Sequence, residues 1–473
     1  MISETWQKLV SSSHVEEIKQ QAKKAGQRLA DRHLHLAVTG LSRSGKTVFI
    51  TSLVNQLLEA RGDASLQFFA VARDKRLIGV RRESQPDVRA GRFSYEHNLS
   101  CLLASPSVWP ASTDGISQIR LAIKYRPSQS LRKYLADDTT LTLDITDYPG
   151  EWLLDLPLLE MDFASWCKQS WQQCIQHSQS QGFQQALATL GLEEEADELM
   201  LAQLASDYRA YLADIRQQGY HLIQPGRFVL PGELEGAPVL QFFPVDPARF
   251  ETELTIQDGS NLALLKQRFE HYKQKVVQPF YQQYFKGFDR QVVLVDCLTA
   301  LNQGRHSVQD LQQTLDWLLA SFHYGRSSWL KRLFSPRIDK LVFAATKADH
   351  ITPDQQDNLV KLMESLIHQA RQHIQYEGVE TESTAIASVN CSAVESTDYQ
   401  GQKLQVLRGN TSDGKQSLVY PGEVPSQCPP DLFWQQQGFN FPAFMPPAGS
   451  GKKALQHMRI DQLLEYLLGD KLL

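Results

Sequence analysis

The segment that most constrains the fold of this chain is Gly40-Leu-Ser-Arg-Ser-Gly-Lys-Thr47, which matches the pattern G-x-x-x-x-G-K-[ST]. The apolar run His35–Thr39 before it predicts a buried strand, and a helix is predicted from Lys46 to about Glu59. Glycines let successive backbone N–H groups turn towards an anion, and the helix directs its positive end at the same point. A turn before an ordinary helix would need glycine but not the Lys-Thr pair. The segment therefore predicts a phosphate-binding loop in an α/β fold.

The side chains of this loop predict a site for a nucleotide and Mg²⁺. Lys46 is expected to contact the β- and γ-phosphates, and the Thr47 hydroxyl is expected to bind the metal ion. Arg43 is a further candidate for positive charge at the phosphates. The loop positions expected to contact the nucleotide are Gly40, Ser42, Arg43, Ser44, Gly45, Lys46, Thr47 and Val48.

A second motif, Asp147-Tyr-Pro-Gly150, follows a run of alternating apolar and polar residues over 140–145 and matches the D-x-x-G pattern of Ras-like GTPases. Asp147 is expected on the Mg²⁺ side, and Gly150 is expected to offer a backbone N–H to the γ-phosphate where a side chain would interfere. The alternating run 119–125 predicts a strand that pairs antiparallel with 141–145. Thr113, in the loop before that strand, is the candidate threonine that senses Mg²⁺.

The residue after this motif bears on catalysis. Many Ras-like proteins have glutamine there, whereas this chain has Glu151. A carboxylate beside the γ-phosphate is repelled by it, unless Glu151 turns outward or acts as a base on water. The candidate catalytic residues are therefore Lys46, Thr113, Gly150 and Glu151, and slow intrinsic turnover is expected.

A third motif, Thr346-Lys-Ala-Asp349, follows the apolar run Leu341–Ala345 and is similar to the N-K-x-D motif with which GTPases bind guanine. The Asp349 carboxylate can accept both the N1–H and the N2–H of guanine, and the stem of Lys347 is expected to cover the base. Thr346 replaces the usual asparagine, which weakens the prediction of tight guanine selectivity. The pair Ser392-Ala393 resembles the loop that contacts guanine O6, although two residues are a weak signal.

These motifs occur in the order expected of Ras-like GTPases, each predicted at the carboxyl end of a strand, where open α/β sheets bind ligands. The chain resembles the YcjX-like bacterial stress-associated P-loop proteins. That resemblance rests on Gly40–Thr47, Asp147–Leu154, Arg290–Asp296 and Thr346–Asp349. It implies an α/β fold with a Ras-like P-loop GTPase sheet, a large mostly helical insertion and a C-terminal extension, able to hold GTP or GDP with Mg²⁺.

The predicted organisation has five parts: an N-terminal helix over 1–33, a first half of the GTPase core over 34–150, a mostly helical insertion over 151–290, a second half of the core over 291–400, and a hairpin extension with a closing C-terminal helix over 401–473. Further strands are predicted at 292–296, 341–345 and 385–390. The runs Phe68–Ala72 and Leu77–Val80 are predicted to form a hairpin.

Composition limits the partners. Lys plus Arg is 48 against 53 for Asp plus Glu, so the net charge of −5 predicts no general attraction to nucleic acid. The six cysteines include no CxxC pair, which argues against a zinc ribbon. No apolar run predicts a transmembrane segment, and a cytoplasmic protein is expected. Seven basic residues within Arg73–Arg92 allow peripheral contact with lipid head groups, although a solvated face is the simpler explanation.

The function expected from the sequence is a GTP-binding protein that hydrolyses GTP slowly and acts as a conformational switch, in a bacterial stress response, on an unidentified protein effector. Two alternatives remain open. One is a scaffold that binds GTP or GDP without useful turnover, and the other is an ATP-binding P-loop protein such as an ATPase or kinase.

Overall fold

The computed structural model describes most of the chain, namely residues 32–41, 43–62, 65–85, 90–111, 115–128, 138–249, 257–320, 338–376, 378–411, 413–447 and 453–473. The predicted N-terminal helix over 1–33 lies outside the described residues, apart from its last two positions. Two predicted site residues, Ser42 and Thr113, lie outside them as well.

Eight strands of the described chain form one mixed sheet, in the order β2-β4-β5-β1-β6-β7-β8, with β3 paired to β4. Their bounds are β1 His33–Gly40, β2 Leu77–Glu83, β3 Gly91–Arg92, β4 Ser117–Tyr125, β5 Thr139–Asp147, β6 Arg290–Val295, β7 Lys340–Ala345 and β8 Glu380–Ala385. Strands β5, β1, β6, β7 and β8 run parallel, whereas β4 is antiparallel to β5 and to β2. The predicted antiparallel pairing of the two alternating runs is confirmed.

The helices surround this sheet and fill the insertion. They are α1 Lys46–Leu58, α2 Ala70–Arg73, α3 Tyr95–Leu103, α4 Phe163–Gln176, α5 Gln181–Ala188, α6 Glu198–Gln217, α7 Gly226–Val229, α8 Asn261–Tyr272, α9 Gln278–Gln283, α10 Cys297–Gln303, α11 Arg305–Ala320, α12 Gln356–Leu366, α13 His368–Tyr376, α14 Asp431–Gln436 and α15 Ile460–Leu468. Among the described residues, no helix combines the length and the apolar character needed to cross a membrane.

The parallel strands are buried on both faces because their alternate side chains enter two different cores. In β6, Val292 packs on one side with α1 and α15, and Val293 packs on the other with α11, α12 and the insertion. A strand covered by helices on both faces needs an apolar residue at nearly every position, which is why this run could be predicted from the sequence. The central sheet therefore holds its carboxyl-end loops on a rigid base.

The insertion is mostly helical, as predicted. It begins with a long 3₁₀ segment, Gly150–Glu160, and continues through α4 to α9. Its centre is an aromatic cluster in which the Trp166 ring lies 5.2 Å from the rings of both Phe242 and Phe269. The insertion shares one continuous core with a face of the sheet, so it packs directly on that face.

Two strand predictions are wrong. Phe68–Ala72 is no strand, since α2 covers Ala70–Arg73 and buries Phe69 and Val71, and β2 pairs with β4 instead. A five-residue apolar run fits one helical turn as well as a strand. The strand predicted at 385–390 is instead β8, Glu380–Ala385, because β8 lies at the end of the sheet and tolerates polar residues on its open side.

The C-terminal extension begins earlier than residue 401. Strands β9 Ser392–Tyr399, β10 Gln402–Asn410 and β11 Gln416–Val419 form a separate antiparallel sheet, so β9 belongs to the extension and not to the second half of the core. The closing helix is confirmed as α15. Buried Arg290 at the start of β6 binds the Asp470 carboxylate just after α15, which ties the C-terminus to the central sheet.

Half of the six basic residues described in the segment Arg73–Arg92 form ion pairs. Ion pairs join Arg73 to Asp74, Arg81 to Glu83 and Arg82 to Glu96. These contacts favour the simpler explanation, a solvated and internally paired face.

Candidate nucleotide-binding site

The loop between β1 and α1 has the backbone of an anion-binding turn. Gly45 has φ +87°, a left-handed conformation that side-chain-bearing residues rarely adopt, and it directly precedes α1. The Lys46 ammonium donates to the Gly40 carbonyl oxygen at 2.9 Å, across the loop. The buried Ser44 hydroxyl has no hydrogen-bond partner among the described residues. The loop therefore presents N–H groups, an ammonium and an unpaired hydroxyl at the end of a buried strand.

Gly150 packs directly on this loop. A Cβ at residue 150 would overlap the carbonyl oxygen of Gly40 and lie 2.9 Å from its carbonyl carbon. Asp147, the last residue of β5, is buried and pairs in register with Val38 of β1. The two ends of the Asp147–Gly150 motif are therefore held against the strand and the loop that carry Lys46.

The third motif lies after β7. Asp349 is buried, and its Oδ2 accepts the backbone N–H of Cys391 at 2.7 Å. Lys347 adopts φ +63° and extends its ammonium to Asp296 Oδ2 at 2.5 Å and to Thr299 Oγ1 at 2.8 Å. The backbone N–H of Thr346 donates to the Val295 carbonyl at 2.9 Å, and its hydroxyl also faces that carbonyl. Neighbouring loops thus fix the orientation of all three side chains.

A cavity of about 410 Å³ joins the first and third motifs. The loop residues Arg43 to Val48 form one wall, and Thr346, Lys347, Asp349 and His350 form another. The remaining walls come from the loop after β8, from the segment before β4 and from the C-terminal extension; they are Ala387, Ser388, Val389, Cys391, Trp109, Pro110, Ala443 and Phe444. The structure thus brings Lys46, Thr47 and Asp349 to a single space large enough for a small-molecule ligand.

Some predicted site residues lie behind this space. Gly40 lies under the loop, where Lys46 binds its carbonyl, and neither Asp147 nor Gly150 lines the cavity. Ser392 and Ala393 do not line it either: Ser392 donates to the Asp349 carbonyl, and Ala393 is exposed at the start of β9. Because β8 ends at Ala385, the residues that reach the cavity are the earlier ones, 387–391.

Glu151 also points away from the cavity. Its side chain is 4% exposed, and its Oε1 accepts bonds from Arg216 of α6, at 3.1 Å from Nε and 3.0 Å from Nη2. Gly226, the first residue of α7, packs so closely that a Cβ there would overlap the Glu151 carbonyl oxygen. The buried carboxylate is therefore paired with Arg216 of the insertion, and its part in hydrolysis stays a prediction.

Known proteins with similar sequences identify the family of this chain. The family model described as "YcjX-like family, DUF463" matches residues 34–472, nearly the whole chain. This chain belongs to the YcjX-like family. It is 47% identical over 449 residues to the protein named Ras-like GTPase YcjX of Escherichia coli strain K12, covering 93% of this chain and 96% of that protein. It is 44% identical over 464 residues to Ras-like GTPase YcjX of Shewanella oneidensis strain MR-1, covering 94% of this chain and 96% of that one.

Sequence reasoning missed Asp296, His350 and Phe444, which contribute to the site of this YcjX-like protein. Asp296 anchors Lys347 and also caps α10 through the Thr299 N–H at 3.0 Å. Phe444 reaches the cavity from the extension and lies edge-on to His350, with ring centroids 5.3 Å apart. An acidic residue directly after the apolar run of β6 could have indicated Asp296 from the sequence. Nothing near Phe444 in the sequence indicates that it contacts His350, some 95 residues earlier in the chain.

The side chains near the phosphate loop include oxygen donors of the kind that bind Mg²⁺. Thr47 lines the cavity with a hydroxyl, and Asp147 supplies a carboxylate at the end of the adjacent strand. Mg²⁺ prefers such hard oxygen ligands and completes its shell with water and phosphate oxygens. The YcjX-like chain therefore has a donor set suited to Mg²⁺ beside its phosphate-binding loop.

Proposed function

We propose that this protein binds GTP and GDP with Mg²⁺, hydrolyses GTP slowly and changes conformation between the two states. The observation that carries the proposal is that Lys46 and Asp349, from motifs about 300 residues apart in the chain, line the same cavity. The names of the two relatives support the hydrolase class. A role in a bacterial stress response rests on the resemblance alone and stays a prediction.

Preference for guanine follows from how Asp349 is held. The Cys391 N–H fixes one carboxylate oxygen, so the group is oriented before any base arrives. A fixed carboxylate can accept the N1–H and N2–H of guanine, whereas adenine lacks that pair of donors and would leave the buried charge unpaired. Thr346 interacts with Val295 and has no hydrogen bond to the described residues of the phosphate loop, which supports selectivity weaker than that of an asparagine-bearing motif.

Slow hydrolysis follows from the position of Glu151. Hydrolysis needs an oriented water and positive charge at the γ-phosphate. Lys46 and Arg43 supply the charge within the described cavity wall, and Mg²⁺, when bound, would polarise the phosphate oxygens. Glu151 is engaged by Arg216 and does not line the described cavity, so we propose that it takes no direct part in hydrolysis. The same observation favours the second candidate function, a scaffold that binds nucleotide without turnover.

The binding experiment is titration of the purified protein with GDP and GTP in Mg²⁺. Lys46→Ala serves as the control, because the loop keeps its glycines but loses the ammonium. Asp349→Asn is expected to weaken guanine binding and to favour xanthine nucleotides, since an amide can donate to the xanthine 2-oxo group. Equal displacement of GTP by ATP, or unchanged guanine affinity in Asp349→Asn, would contradict the assignment.

Turnover is measured separately, by single-turnover phosphate release from GTP-loaded protein. Slow release that Lys46→Ala abolishes supports the GTPase. Tight GTP binding with no release over hours supports the scaffold, and these two results cannot be confused with each other.

A further inference from the structure

A second cavity, of about 250 Å³, lies where the insertion meets the central sheet. It shares no residue with the nucleotide cavity. Its lining includes buried Trp152 and Arg227, half-buried Ile116 before β4 and Tyr284, and exposed Lys275. The cavity therefore touches both the segment after Gly150 and the helices of the insertion.

Arg227 is the unusual feature of this cavity. The residue is only 7% exposed, and its guanidinium carbon lies 3.1 Å from the centre of the Trp152 ring. Its backbone N–H donates to Asp155 at 3.4 Å, but its guanidinium makes no hydrogen bond within the described part of the chain. Glu233, exposed at the opening, and buried Asp155 attract it electrostatically without binding it.

The guanidinium nitrogens have no acceptor in the described part of the chain and keep some accessible surface, so their N–H donors stay open to an occupant of the cavity. The indole of Trp152 covers one face of the group and leaves the in-plane N–H donors for a ligand. Carboxylates and phosphates match that fork and bind it through two parallel hydrogen bonds. Exposed Lys275 and Glu233 also line the cavity and offset each other in charge, so Arg227 sets the charge of its buried part.

We propose that this cavity binds a small anion through Arg227, with a carboxylate or phosphate group stacked beside Trp152. The volume is below that of most drug-sized sites, so the ligand is a small metabolite or inorganic anion. Because Trp152 follows Gly150 by two residues, an occupant would touch the segment that contacts the phosphate loop. The site lies apart from the nucleotide cavity and goes beyond the proposed function.

The test uses the full chain carrying Lys46→Ala, which removes the ammonium from the competing phosphate site. Thermal unfolding is followed in inorganic phosphate, malonate and chloride at matched ionic strength. A saturable rise in Tm with phosphate, with malonate or with both, above that in chloride, is expected. The two probes distinguish phosphate from carboxylate chemistry, and either response supports the site.

Two further substitutions in that background assign the response to Arg227. Arg227→Gln removes the charge and is expected to weaken the apparent affinity about tenfold or more. Arg227→Lys keeps the charge without the planar fork and is expected to weaken binding less than Arg227→Gln does. It takes the place of Arg227→Gln in the test if the glutamine variant does not fold. Lys266→Gln, an exposed charge on α8 outside the cavity, is the matched control and should leave the response unchanged.

The proposal is overturned if phosphate and malonate raise Tm no more than chloride does. It is also overturned if the Arg227 variants keep the full affinity, because the anion would then bind elsewhere.

Discussion

The buried ion pair between Glu151 and Arg216 offers the most direct test of how the insertion is attached. Arg216→Met leaves a carboxylate that is 4% exposed without its partner. Removing one member of a buried pair costs about 3–5 kcal/mol. Because the Arg216 side chain is itself 26% exposed, water can reach the vacated space, and we expect a loss of about 2–3 kcal/mol.

The same helix provides a matched control. Arg209 of α6 is 27% exposed, nearly the same as Arg216, but its partner Glu235 is 64% exposed. Arg209→Met is therefore expected to cost less than about 1 kcal/mol. The free energy of unfolding is measured by urea titration with tryptophan fluorescence, in both single variants and the wild type.

A double-mutant cycle completes the test. Glu151→Gln combined with Arg216→Met removes both charges, and we expect it to recover about 1–2 kcal/mol relative to Arg216→Met alone. Single-turnover GTP hydrolysis in Glu151→Gln should remain close to wild type, whereas loss of a catalytic base would slow it about 10²-fold or more. A coupling energy near zero, or an Arg216→Met loss no larger than that of Arg209→Met, would refute the reasoning.

Two further predictions concern the same segment. Gly150→Ala would force a Cβ into the Gly40 carbonyl, so we expect GDP affinity to fall about tenfold or more by calorimetric titration, and unchanged affinity would argue against that contact. Burial raises the pKa of Asp155 to about 6, despite the Tyr272 hydroxyl that donates to it. The folded-state pKa lies above the unfolded one, so stability falls as pH rises from about 4 to 6, by up to ~3 kcal/mol. Asp155→Asn should reduce the pH dependence of stability, measured as urea midpoints between pH 4 and 7. A pH dependence equal to that of the wild type would contradict this. Burial also raises the pKa of Asp310 to about 6, and Asp310 contributes equally in both proteins.

The parts of the site that could be predicted from sequence are those encoded locally. The phosphate loop needs only a strand, two glycines, Lys-Thr and a helix, all within about 20 residues, and each constrains the backbone near itself. The edge strand β8 could not be found in this way, because its sequence Glu-Thr-Glu-Ser-Thr-Ala lacks the apolar run of a central strand. The apolar residues 386–389 that follow look more like a strand, but they line or support the cavity.

Contacts between residues far apart in the chain could not be predicted from the sequence, for a different physical reason. Glu151 and Arg216 are 65 residues apart, and each is an ordinary charged residue in its own segment. Only the packing of the insertion determines that the carboxylate turns away from the nucleotide cavity. The same holds for Phe444, whose role depends on how the extension folds back.

The 3₁₀ segment Gly150–Glu160 determines how a change at the nucleotide could reach the insertion. Gly150 contacts the phosphate loop, and Glu151 forms an ion pair with α6. The Leu154 carbonyl accepts hydrogen bonds from two side chains, at 2.5 and 2.9 Å. Asp155 accepts hydrogen bonds from residues of α7 and α8. Breaking buried bonds of this kind costs about 1–3 kcal/mol each. Coupling between ligand sites is typically about 1–3 kcal/mol in total. We therefore expect a shift at Gly150 to leave the segment attached to the insertion and to move the two together.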